Sequence, residues 1–155
     1  MTTRTERRSS PRVGREPRHR AREAAVQMLY QWEVGRSPMP EVTQTFWLHD
    51  QPATASLEDA GRAFAEKLAT GVADTVGTLD PVIVEAAEHW RIERMNVMDR
   101  LILRLAVYEF LHEPATPSRV IINEALELAR TFSTEDSVRF INGILDAIRR
   151  RLGRE

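Results

Sequence analysis

The stretch NVMDRLILRLAVYEFLH, residues 96–112, decides the fold class. Met98, Leu101, Ile102, Leu105, Tyr108 and Leu111 fall at the three- and four-residue spacings of one helical face. Asn96 with Asp99 has the spacing of an N-terminal capping box, and Pro114 and Pro117 end the pattern. Beyond them a second stripe runs through Ile121, Ala125, Leu128, Ala129 and Phe132. Ser133 with Asp136 opens a third, carried by Val138, Ile141, Leu145, Ile148 and Leu152. Towards the N-terminus, Asp80 before Pro81 predicts a helix start, with Val82, Ile83, Ala86 and Trp90 as its apolar side. Ser56 with Asp59 predicts another, in which Leu57, Ala60, Phe64, Leu68 and Val72 run to about Val76. Residues 36–56 read as a connection with a short apolar patch, Phe46 to Leu48, and Ala21, Ala25, Met28, Leu29 and Trp32 mark the first helix from Arg18. No segment alternates with period two between hairpin turns, so no sheet is predicted. The fold class is all-α, a compact bundle of six to seven helices packed by their stripes.

The 155 residues carry a formal net charge of −1, but the charge is unevenly distributed. Residues 1–22 hold eight arginines against Glu6 and Glu16, residues 23–148 hold ten basic and twenty acidic residues, and Arg149, Arg150, Arg151 and Arg154 stand against Glu155. A basic arm on an acidic body points to nucleic acid or another anionic surface, because a polyanion responds to the local field. Lys67 is the only lysine, so the positive charge sits on planar guanidinium forks that suit phosphates and stack on bases. A solvated tail is the other reading of residues 1–16. Residues 1–17 are expected to form a mobile arm, 18–152 the helical domain and 153–155 a tail. With no cysteine, disulfides and thiolate chemistry are excluded. No apolar run reaches membrane-spanning length, so a soluble cytoplasmic protein is expected.

An enzyme needs a site, and the usual ones are missing. His19, His49, His89 and His112 form no His-Glu-x-x-His pair, the seven glycines make no phosphate loop, and no serine sits in a nucleophile elbow. No catalytic residue, metal site or cofactor is expected. Asn123 reads as a buried hydrogen-bonding group, Gly143 as a point of close helix packing, and Phe140, from spacing alone, as core.

Four segments together resemble the NusB family of bacterial transcription antitermination factors: RHRAREAAVQMLY (18–30), RLILRLAVYE (100–109), VIINEALELA (120–129) and FINGILD (140–146). The likeness covers about Arg18 to Ile148. It implies two three-helix subdomains without catalytic activity. It also implies binding to boxA, a short single-stranded RNA element of ribosomal leader transcripts, together with the ribosomal protein NusE. By the same resemblance, the pair is expected to join other Nus factors on RNA polymerase to suppress premature termination. The family's arginine-rich motif falls on Arg18, His19, Arg20 and Arg22, with histidine where arginine is common, and further RNA contacts fall on Arg119, Asp136 and Phe140. NusE contacts fall on Tyr30, Glu93 and Asp99. A similar domain begins ribosomal RNA cytosine methyltransferases, so an accessory domain of such an enzyme is the alternative reading, and a length of 155 residues is expected to argue against it unless the chain is a fragment. Some family members self-associate, so a homodimer stays open.

Overall fold

The computed structural model describes residues 2–48, 57–88 and 90–155, with side chains from Pro17 onward. Among the described residues the chain is helical and has no strand: α1 (Thr2–Glu33), α2 (Met39–Thr45), α3 (Asp59–Ala86), α4 (Val97–His112), α5 (Ser118–Phe132) and α6 (Glu135–Arg151). Two 3-10 turns, Phe46–Leu48 and Ile92–Arg94, interrupt the connections. Helices α1, α2 and α3 pack together, α4, α5 and α6 pack together, and α4 meets α1 and α3 where the two groups join. The expected all-α pair of three-helix groups is what forms. Residues 1–17, expected as a mobile arm ahead of a helix from Arg18, carry side chains outside the described residues before Pro17, but their backbone from Thr2 onward is described and forms the first part of α1.

Helix α4 is the axis of the molecule. Every residue from Leu101 to Phe110 is buried, so the one-sided stripe read in the sequence becomes a helix enclosed on all sides. Asn96 caps it, its Oδ1 accepting from the Met98 amide at 2.8 Å. Enclosure forces Arg104 and Glu109 to find partners inside, because an unpaired buried charge costs several kcal/mol. Arg104 forks onto Asp80 of α3, Nε to Oδ1 at 2.8 Å and Nη2 to Oδ2 at 2.9 Å, and Glu109 takes Arg22 of α1. Burial alone would lower the Arg104 pKa; the bonds and charges of Asp80 and Glu33 outweigh it and hold the group above its ordinary value.

Several predicted boundaries move. Asp80 starts no helix; α3 runs on through Pro81, and the break appears at Thr75 (φ −123°, ψ 20°), close to the predicted end at Val76. The Thr75 hydroxyl donates to the Gly71 carbonyl at 2.7 Å, the acceptor its own amide would use in a regular helix. Ser56 lies outside the described residues, and α3 begins after Glu58 with no side-chain cap bond. The cap of α6 is Thr134, not Ser133: its Oγ1 accepts from the Ser137 amide at 3.1 Å. Asn123 is exposed rather than buried. A Cβ built on Gly143 would meet nothing within 4 Å, so close helix packing does not explain that glycine.

Candidate nucleic-acid interface

The basic motif sits at the point where α1 lies across α3, α4 and α5. Residues four apart share a helical face, so Arg18 and Arg22 point one way and His19 and Glu23 another. Arg18 is exposed, its guanidinium carbon 4.7 Å from the Phe64 ring centroid; that of Arg22 lies 5.6 Å from the same ring. Phe64 of α3 thus props Arg18 at the surface by a cation–π contact. Arg20 is half-buried on the same turn.

Arg22 is turned inward and 2% exposed. Burial pulls its pKa down, and the bonds and charges of Glu109 and Glu124 more than reverse this, holding it above the ordinary value. A guanidinium this enclosed offers no fork to a surface phosphate. His19 is held between two carboxylates, Nδ1 at 2.9 Å from Glu124 Oε1 and Nε2 at 3.4 Å from Glu23 Oε2. Glu124 also lies 3.4 Å from Arg22 Nη1, so one α5 acid fixes both residues. Arg119 is exposed five residues earlier on α5, about 7–8 Å along the helix axis from Glu124.

A second group forms on α6. Asp136 is exposed and pairs with Arg139 one turn on. Phe140 is half-buried and meets Trp90 edge to face, centroids 5.3 Å apart at 73°. Trp90, read in the sequence as the apolar side of a helix, instead follows the end of α3 and is 56% exposed. Asp99 lies beneath this group: 6% exposed, it accepts from the hydroxyls of Ser133 and Ser137 at 2.8 Å each. The residue read as a partner contact has both oxygens engaged within the fold.

The third group faces another end. Tyr30 is 42% exposed on the last turns of α1, and Glu93 is exposed in the 3-10 turn before α4. Arg100 ties these segments together: Nη2 donates to Glu33 at 2.8 Å, and Nη1 reaches the carbonyls of Ile92 at 3.4 Å and Met95 at 3.5 Å. Arg104 Nη1 adds a 3.3 Å contact to Glu33. The structure therefore gathers Arg18, His19, Arg20 and Arg22 on α1, puts Asp136 and Phe140 one turn apart on α6 with Asp99 bonded to the start of that helix, and leaves Tyr30 and Glu93 exposed on two segments that Arg100 ties together. Sequence reasoning missed Phe64, Glu124 and Trp90 as site residues, since each satisfied a helical stripe or an acidic face equally well.

Among the described residues no group of three His, Asp or Glu side chains could hold a metal ion. No helix there is long and apolar enough to cross a membrane.

Comparison with known proteins adds the family context. A sequence model of the NusB family matches residues 19–150. The transcription antitermination protein NusB of Sorangium cellulosum is 42% identical over 137 residues, covering 88% of this chain and 94% of that protein. The protein of the same name from Koribacter versatilis is 44% identical over 138 residues, covering 89% and 92%. A solved structure of T. maritima NusB superposes with TM-score 0.76 at 33% identity, covering 86% of this chain and 90% of that one. A structure of the antitermination factors NusB and NusE in complex with double-stranded RNA contains a chain that superposes with TM-score 0.77, covering 87% and 97%. At 21% identity that likeness shows the fold alone.

Proposed function

The chain belongs to the NusB family, and on that premise we propose that it is a non-catalytic antitermination factor of the cytoplasm. In this reading it binds boxA-type single-stranded RNA together with NusE, as part of an RNA polymerase complex with other Nus factors. The observation that carries the RNA role is Arg18, an exposed guanidinium braced on Phe64 midway along α1, a helix whose earlier residues are rich in arginine. Arg18, Arg20 and Arg119 neutralise phosphates, and His19 adds a hydrogen-bonding ring at the same turn. Phosphate contacts of this kind position the strand, and base contacts then specify it.

Base reading belongs to α6, where Phe140 offers a ring and Asp136 an exposed carboxylate that can accept from a base amino group. Arg22 and Asp99 act through other residues: the first orients α1, the second fixes the start of α6. Tyr30 and Glu93 form the face for NusE, an acid and a phenol set against a basic protein. A homodimer that covers the RNA surface is the competing state of the RNA-binding face.

Titration of the purified protein with boxA-type RNA and a scrambled control, at several salt concentrations and with or without NusE, tests this reading. Preference for boxA that strengthens with NusE is the expected result. Equal affinity for both RNAs, even with NusE present, would leave only a nonspecific basic arm.

A further inference from the structure

We propose that Trp90, Phe140 and Gly143 form one platform that takes an unpaired nucleobase and the ribose-phosphate beside it, with Trp90 as a base-stacking residue. The proposal rests on the RNA-binding reading above and names a contact that reading does not contain. Trp90 leaves more than half of its surface in water, 56%, although its indole is the largest apolar group the chain can bury. It stands edge to face with Phe140 at 5.3 Å and 73°, a geometry that keeps ring surface free for a third aromatic group.

Gly143 lies one helical turn beyond Phe140 and is exposed. Glycine within a helix costs about 1 kcal/mol relative to alanine. No neighbour within 4 Å demands it, and Gly143 is not among the positive-φ glycines. A bare strip of backbone one turn from the Phe140 ring, which in turn meets Trp90, lets a ligand lie directly against α6.

Charge favours nucleic acid as the occupant. The segment that carries Trp90 also carries Arg91 and Arg94, both exposed and neither in an ion pair among the described residues, with Glu93 between them. Open π surface flanked by guanidinium groups is the chemistry that binds single strands with exposed bases.

The test uses the whole protein and a fluorescently labelled boxA-type oligoribonucleotide, its scrambled control, and copies carrying one abasic residue at successive positions. Trp90→Ala is expected to weaken boxA binding about tenfold, and Trp90→Phe to retain most of the affinity. At one position the abasic substitution should abolish the difference between wild type and Trp90→Ala. Gly143→Ala should raise the thermal midpoint, through helix propensity, while lowering RNA affinity severalfold. Wild-type affinity in both Trp90→Ala and Gly143→Ala, with the boxA preference intact, overturns the platform and leaves the antitermination reading standing. A wild type that binds both RNAs equally overturns the antitermination reading itself. Lost NusE affinity with unchanged RNA affinity makes the patch a protein surface and also overturns the proposal.

Discussion

Arg22 and Glu109 meet fork to fork: Nε and Nη2 each donate at 2.8 Å to separate carboxylate oxygens, with 3% and 2% of the two side chains exposed. The pair fastens α1 to the enclosed helix α4. Removing one partner leaves the other charge buried without compensation, a loss of about 3–5 kcal/mol in comparable pairs. Arg22→Met is therefore expected to lower the urea stability by about that amount, whereas Arg22→Met with Glu109→Leu recovers most of it. An unchanged midpoint for Arg22→Met would show that the pair holds nothing together.

Arg18 makes the contrast. It is exposed and rests on Phe64, so Arg18→Ala should change stability by less than about 1 kcal/mol. If it neutralises one phosphate, the slope of log affinity against log salt should fall by about 0.7, the value for a single strand. Identical slopes for wild type and Arg18→Ala would take this residue out of the phosphate contacts.

The helices were legible because their apolar residues repeat with the right period, and α4 most of all. Its burial on every side was not, because Arg104 and Glu109 look like a polar face until Asp80 and Arg22 are seen to meet them. The same ambiguity hid the division of labour in the basic motif: nothing in the spacing of Arg18 and Arg22 says that one is exposed and the other sealed. Trp90 was misplaced because the pattern after Pro81 continues without a break, while the helix ends at Ala86. Asp99 had capping spacing from Asn96, but Asn96 caps the helix alone and the acid is drawn to Ser133 and Ser137, which are distant in sequence.

That attraction yields a prediction for the body of the protein. Asp99→Ala removes an acceptor shared by two hydroxyls and should cost about 1–3 kcal/mol. Because Ser137 also donates its amide to Thr134, the start of α6 should loosen, and amide hydrogen exchange should quicken at residues 135–138 before the rest of the helix. Exchange that quickens uniformly along α6 would mean the cap is independent of Asp99.

At high pH the Lys67–Glu113 pair, at 2.6 Å, should separate from the rest of the fold. The hydrogen bond and charge of Glu113 hold the Lys67 ammonium above its ordinary 10.5. A raised pKa means that the folded state keeps its proton longer than the unfolded chain. The pair's contribution is thus complete below about pH 10 and disappears as pH rises through the folded-state value. Lys67 is largely exposed, so the effect is small. Wild type and Lys67→Met should show parallel stability curves to about pH 10 and converge above it; a constant offset to pH 12 would contradict the assignment.

Gly71 tests how tightly α3 and α4 are joined. A Cβ at this position would press into Tyr108 Cζ and its hydroxyl oxygen, closer than real Cβ contacts allow. Tyr108 cannot swing freely, since it lies on the buried face of α4 and its ring meets His112 at 4.5 Å. Gly71→Ala therefore sets a gain of about 1 kcal/mol in helix propensity against overpacking that costs about 1–3 kcal/mol, and a net loss is expected. Gly77→Ala is the internal control: it lies on the same helix with nothing within 4 Å, so propensity alone acts and stability should rise. Shortening Tyr108 to alanine should reverse the sign at Gly71, with Gly71→Ala now stabilising in the Tyr108→Ala background. If Gly71→Ala behaves like Gly77→Ala in the wild-type background, the ring does not press on this turn and the close α3–α4 approach is wrong.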